Sequence, residues 1–113
     1  MVDVIIARVY DETLPSGTRV LIDRLWPRGM KKADAPIDEW CKDVAPSTEL
    51  RTWFGHDPER FDEFRRRYRD ELRHPPASTA LDGLRTRPSL VLMTATKDVQ
   101  HSAAAVLAEV LSS

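Results

Sequence analysis

The hydrophobic positions of this chain form two kinds of pattern, and the first kind is short and rich in Val, Ile and Leu. Such runs predict β-strands over residues 4–10, 18–25 and 89–93. The last run is almost uninterrupted, which predicts a strand in the middle of a sheet. The polar link over residues 11–17 is shorter than the roughly twelve residues of a parallel crossover. We therefore expect the first two strands to be antiparallel or not directly adjacent.

The second kind of pattern repeats every three or four residues and predicts helices. Ser47 is expected to cap the first helix and Gly55 to end it. Asp57 and Pro58 are residue types that open a helix, and the buried stripe that follows them continues to about Arg73. Residues 78–86 predict a short helix, and a last helix carries its apolar face over residues 103–111.

Residues 37–45 fit either a helix or a strand, because their apolar stripe is short and ends at Pro46. Strands near both ends of the chain, with helices between and after them, imply an α/β layer fold. We expect one small domain over residues 1–113, with a mainly parallel sheet of about four strands flanked by helices.

Composition narrows the classes of function. The 113 residues carry 17 Lys+Arg against 18 Asp+Glu, a net charge of -1, which argues against a protein whose main task is to coat nucleic acid. No apolar run approaches the roughly 20 residues of a membrane helix. The N-terminus lacks the pattern of a signal peptide. The single cysteine, Cys41, excludes an internal disulfide and fits a reducing compartment, so we expect a cytoplasmic protein.

Candidate chemistry gathers in three loops that follow predicted strands or precede helices, over residues 23–29, 45–48 and 94–98. Ligands of parallel sheets bind beyond the carboxyl ends of the strands, and helix N-termini present free N–H groups to anions. The predicted ligand-binding residues are therefore Arg24, Trp26, Arg28, Ser47, Thr48, Thr96 and Lys97. His101, expected in the first turn of the last helix, and Asp23 are the candidates for proton transfer. The predicted ligand is an anionic small molecule with a phosphate or carboxylate group, such as a metabolite or nucleotide.

Each of these residues also has a purely structural interpretation. Arg24 can pair with Asp23, Ser47 and Thr48 can simply cap a helix, and His101 can be a core or surface residue. The three tryptophans are expected mainly as core anchors. The spacing of the histidines predicts no metal site, and the sequence predicts no cofactor.

Two other classes of function stay open at this stage. The arginine-rich helix over residues 58–73 could join the loop over residues 23–29 in a nucleic-acid face, although interleaved acidic residues favour a solvated helix face. The chain could also be a partner-binding or dimerising module without a small-molecule site. The sequence determines neither the oligomeric state nor the identity of the ligand.

Three segments together resemble the domain of unknown function 488 family, in its short YeaO-like branch. They are Asp23-Arg24-Leu25-Trp26-Pro27-Arg28-Gly29, Pro46-Ser47-Thr48-Glu49-Leu50-Arg51 and Ala95-Thr96-Lys97-Asp98. The resemblance covers nearly the whole chain and implies a small α/β domain in which residues 37–45 form a strand. Members carry a Cys-His-Arg-like segment before the last helix, whereas His101 lies between Gln100 and Ser102. The resemblance therefore implies a fold rather than a cysteine-dependent activity.

Overall fold

A computed structural model describes residues 3–112 and shows a four-stranded sheet in which every pair of neighbouring strands is parallel. The strands are β1 (Asp3–Arg8), β2 (Thr18–Leu21), β3 (Glu39–Trp40) and β4 (Ser89–Thr94), in the order β1-β4-β2-β3. β4 lies in the middle, with Leu92 opposite Ile6 of β1 on one side and opposite Val20 of β2 on the other. The α/β class and the central place of β4 are confirmed. The first two strands are not adjacent, because β4 separates them.

Four helices follow the predicted order: α1 (Thr48–Phe54), α2 (Phe61–Glu71), α3 (Ala77–Leu84) and α4 (Ala103–Ser112). The Ser47 hydroxyl accepts a hydrogen bond from the Leu50 N–H, and Gly55 takes a left-handed φ of 54° at the other end of α1. Both predicted boundaries of this helix are therefore confirmed. Asp57 caps a short 3-10 turn, Pro58–Arg60, that leads into α2.

The two faces of the sheet are covered differently. Helices cover the face of Val20, Leu90 and Leu92, where buried side chains such as Phe64 and Tyr68 fill the core. The other face is covered by side chains of the β1–β2 and β2–β3 connections: Leu14, Trp26, Met30 and Ile37. The connection from β2 to β3 thus packs on the sheet and carries the predicted arginine loop at the same time.

Two predictions were wrong in detail, the end of β2 and the place of His101, and the open alternative over residues 37–45 is resolved. β2 ends at Leu21 rather than at residue 25, because the chain leaves the sheet there. The Asp23 carboxylate bonds instead to Thr94 at the end of β4. Residues 37–45 contain the two-residue strand β3 and a 3-10 turn, Lys42–Val44, so an irregular strand is confirmed there. His101 lies in a separate 3-10 turn, Val99–His101, and not in the first turn of α4, because Ser102 is extended between them.

Within residues 3–112, no helix combines the length and the apolar character that crossing a membrane requires.

Candidate functional site

A cavity of about 300 Å³ lies at the carboxyl ends of β2 and β4, and we call it the sheet-end cavity. The loop after β2 contributes Asp23 and the side chains that follow it, and the loop after β4 contributes Ala95 and Thr96. An open groove of about 710 Å³ adjoins it and is lined by Lys97 and Arg8; we call it the Lys97 groove. The following residues line both: Asp23, Arg28, His56, Ala95 and Thr96. Residues of all three predicted loops, 23–29, 45–48 and 94–98, therefore meet at one edge of the sheet.

Asp23 joins the ends of two strands. One carboxylate oxygen accepts a hydrogen bond from the Thr94 hydroxyl at 2.8 Å, and the other accepts from the Ala95 N–H at 2.8 Å. Burial raises the pKa of the Asp23 carboxyl above its usual value, although these hydrogen bonds and the charge of Arg51 act in the opposite direction. Both oxygens are thus already engaged, so the first role that the geometry gives Asp23 is to hold the two loops together.

Arg24 holds one wall of the sheet-end cavity. Its Nη2 donates to the Ala45 carbonyl at 3.3 Å and its Nε to the Pro46 carbonyl at 3.3 Å. The preceding carbonyl, of Val44, accepts a hydrogen bond from the buried Tyr68 hydroxyl. Three successive carbonyls are therefore bound by side chains, and no ion pair forms between Arg24 and Asp23 among the described residues.

Arg28 projects from a tight turn. The Met30 N–H donates to the Pro27 carbonyl at 3.3 Å, and Gly29 has a φ of 78°, as the third position of a type II turn requires. The Arg28 carbonyl accepts from the Tyr10 hydroxyl at 3.2 Å, and Arg28 is exposed and lines both the cavity and the groove. The backbone is thus anchored and the charged group is left available.

Two ionisable lining residues were not among the predicted site residues. Arg51 lies on α1, three residues before Phe54, and both line the sheet-end cavity. Residues three apart share a helix face, so the pattern that placed Phe54 inward also pointed to Arg51. His56 follows Gly55 with a φ of 57°, which is uncommon for a residue other than glycine. Its place on the cavity depends on how α1 ends, and no local pattern signals it.

The remaining predicted residues of the loops over residues 23–29 and 94–98 also lie at this edge of the sheet. Trp26 lines the cavity, its ring N–H donating to the Met30 carbonyl at 2.6 Å and its ring centroid 5.2 Å from that of Trp40. Thr96 lines both hollows, and its carbonyl accepts from the Arg8 Nε at 3.1 Å. Lys97 is exposed in the groove together with Arg28.

Ser47 and Thr48 do not line the sheet-end cavity. The Ser47 N–H and hydroxyl both donate to the Glu71 carboxylate, at 2.8 and 2.6 Å. The N-terminus of α1 is therefore occupied by an anion of the protein itself, and Thr48 is exposed beside it. The capping interpretation of Ser47 is the one that the geometry bears out.

His101 also lies outside both hollows. Its Nδ1 is 2.9 Å from an Asp98 carboxylate oxygen, and its ring makes an edge contact with Phe61 at 5.3 Å between centroids. The 3-10 turn that carries His101 ends before α4 begins. The His101 ring therefore faces Phe61 rather than the cavity.

Most arginines of the 58–73 segment are paired. Arg66 and Arg67 both bond to Glu63, which holds the pKa of Glu63 at about 2, and Arg65 lies 3.2 Å from both Asp62 and Glu109. Trp53 lies beneath Arg67, whose guanidinium carbon is 4.3 Å from a ring centroid. Internal pairing satisfies these charges, as the solvated-face interpretation predicts, and a nucleic-acid role stays a prediction.

No set of three or more His, Cys, Asp or Glu side chains within residues 3–112 is arranged to hold a metal ion. Cys41 lines a different hollow with Trp40 and Arg87, and burial raises the pKa of its thiol. The ionisable groups that line the sheet-end cavity are three arginine guanidinium groups, the Asp23 carboxyl and the His56 ring, beside apolar side chains.

Comparison with known proteins identifies the family. Residues 3–113 match the family described as the inactive DUF488-N3 subclade. The chain belongs to the domain of unknown function 488 family. It is 51% identical over 108 residues to an uncharacterized protein of Mycobacterium tuberculosis, covering 95% of this chain and 92% of that protein. It is 42% identical over 108 residues to the uncharacterized protein YeaO of Escherichia coli, covering 94% of each.

No solved structure matches the chain. Family membership confirms the resemblance carried by the three sequence segments. It assigns no reaction, so the geometry of the sheet-end cavity is the basis for a function.

Proposed function

We propose that the sheet-end cavity binds a small anionic metabolite through a phosphate or carboxylate group. The observation that carries the proposal is the convergence of Arg24, Arg28 and Arg51 on one cavity, where Asp23 is the single acidic side chain among the described lining residues. Guanidinium groups present forked N–H donors that match both kinds of anion.

The state of the arginines supports this proposal. Within residues 3–112, neither the Arg28 nor the Arg51 guanidinium forms a hydrogen bond or an ion pair. Most arginines of α2, by contrast, are paired with acidic neighbours. An anion in the cavity would give these two guanidinium groups the counter-charge that the described residues do not place within ion-pair distance.

The start of α4 adds a second source of positive potential. Ser102 and Ala103 line the cavity at the point where this ten-residue helix begins. The Ala105 N–H already donates to Ser102. The N–H groups of Ala103 and Ala104, as the first of the helix, have no acceptor within it and carry partial positive charge. An anion held by the arginines would lie on the same side as these donors.

Binding without catalysis is the form of the proposal that we favour. The matched subclade is described as inactive. Both oxygens of Asp23 are engaged by Thr94 and Ala95, and His101 and Cys41 lie outside the cavity. We therefore assign Asp23 a positioning role, and we give His101 no part in the site.

A thermal-shift assay tests the proposal with inorganic phosphate, AMP, phenyl phosphate and citrate on the wild type, Arg28→Gln and Arg85→Gln. A ligand at 100 times its Kd stabilises a protein by about 2.7 kcal/mol, which moves the Tm by several degrees. Arg28→Gln should lose most of this shift, because it removes a charged donor worth about 1.5–3 kcal/mol.

Arg85→Gln is the matched control, since Arg85 is exposed at the end of α3 and does not line the cavity. If no compound shifts the wild type, or if both variants respond alike, the proposal is wrong.

A further inference from the structure

We infer that the ligand is an amphipathic anion, which places an aromatic or other apolar group on the cavity floor and its phosphate or carboxylate at the arginines. This inference rests on the proposed function and names its ligand class.

The floor of the sheet-end cavity is apolar. Ile22, Phe54 and Phe64 line it, and each is at least 97% buried. The rings of Phe54 and Phe64 are stacked, with 4.3 Å between centroids and an angle of 19° between planes. Ile22 follows β2 directly, and Phe54 and Phe64 lie on α1 and α2, so the surface that they form is part of the core. It offers nothing to the oxygens of a bare anion.

The volume of the cavity exceeds what a bare anion fills. The cavity has a volume of about 300 Å³, whereas phosphate has only five heavy atoms. With phosphate alone, water would still cover the apolar surface that remains exposed at the cavity, which belongs chiefly to Leu25. A ligand with an apolar group would displace that water and gain affinity in proportion to the apolar area covered.

The mouth of the cavity carries an apolar side chain that the fold leaves in water. Leu25 is 64% exposed, more than any other large hydrophobic residue described, and it lies between Arg24 and Trp26 in the loop that lines the cavity. The hydrogen bond to Met30 fixes Trp26 beside it. An apolar group in the cavity would be covered by Leu25 and Trp26 while its charged group meets the arginines.

Isothermal titration calorimetry with inorganic phosphate, phenol and phenyl phosphate tests the inference. On the wild type, phenyl phosphate should bind at least about tenfold more tightly than phosphate or phenol, because burial of a ring is added to the anion contact. Leu25→Ser should weaken binding of phenyl phosphate by about threefold or more, and by a larger factor than it weakens binding of phosphate. Ile5→Ser is the matched control, since Ile5 is 46% exposed on β1 and does not line the cavity.

The outcomes separate the two proposals. If phosphate and phenyl phosphate bind equally well, or if Leu25→Ser and Ile5→Ser affect phenyl phosphate alike, the inference is wrong while anion binding stands. If neither anion binds, the proposed function fails and the inference fails with it. If phenol binds as well as phenyl phosphate, the cavity is an apolar pocket and both are overturned.

Discussion

Tyr68→Phe removes one oxygen atom from the centre of the molecule. The Tyr68 side chain is fully buried, and its hydroxyl donates to the Val44 carbonyl, next to the wall that Arg24 holds. In the variant the Val44 carbonyl stays buried without this donor. An unsatisfied buried acceptor costs about 1–3 kcal/mol. We therefore expect Tyr68→Phe to lower the free energy of unfolding by about 2 kcal/mol, within that range.

The same substitution predicts a change in pH dependence. Burial raises the pKa of the Tyr68 phenol well above its usual value of 10.0, so the folded protein keeps this proton after the unfolded chain has lost it. The contribution of Tyr68 to stability is complete below about pH 10 and is lost as the pH rises above it, by up to roughly 1.4 kcal/mol per pH unit. Tyr68→Phe should lack this part of the alkaline loss.

Urea unfolding followed by tryptophan fluorescence, at pH 8 and at several values above pH 10, measures both effects. Tyr10→Phe is the matched control, because its hydroxyl donates to the Arg28 carbonyl at the surface, where Tyr10 is 47% exposed. Removing the Tyr10 hydroxyl should lower the free energy of unfolding by less than about 0.5 kcal/mol. Equal destabilisation by the two variants, or an unchanged alkaline slope in Tyr68→Phe, would refute the role given to the buried hydrogen bond.

Two further predictions test the places that the structure gives Ser47 and His101, which the sequence had assigned to the site. Glu71→Ala should lower the free energy of unfolding by about 1–3 kcal/mol in urea titrations, because it leaves the Ser47 N–H without its acceptor; a loss no larger than that of the exposed neighbour variant Asp70→Ala would contradict this. His56→Asn should weaken phosphate binding by about threefold or more in calorimetry, as expected for one lost hydrogen bond, whereas His101→Asn should leave it unchanged because His101 does not line the cavity. If His101→Asn weakened phosphate binding more than His56→Asn, His101 would belong to the binding site and this prediction would be wrong.

Much of the fold was readable from local pattern. A nearly unbroken apolar run placed Ser89–Thr94 at the centre of the sheet, and Ser47 with Gly55 marked both ends of α1. These features depend on the side chains and dihedral angles of a few neighbouring residues, so the sequence alone carries them. The order of the strands was less accessible, because it depends on pairings between β4 and two strands about 70 to 90 residues earlier in the chain.

The candidate site also combines features that local sequence predicts with features that depend on tertiary contacts. The sequence by itself determined the chemistry of the loops: arginines beside a proline and a glycine after one strand, and threonines with a lysine after another. Only the tertiary structure decided which of these groups share a cavity. It brought in Arg51 and His56, filled the N-terminus of α1 with the Glu71 carboxylate, and turned His101 toward Phe61.

The physical reason is the separation along the chain of the residues that form each feature. Caps, turns and periodic stripes are set by contacts within a few residues, and a short window of sequence contains all the atoms involved. A cavity is formed by segments that are distant in the chain, and whether a donor remains available depends on every acceptor that packing brings near it.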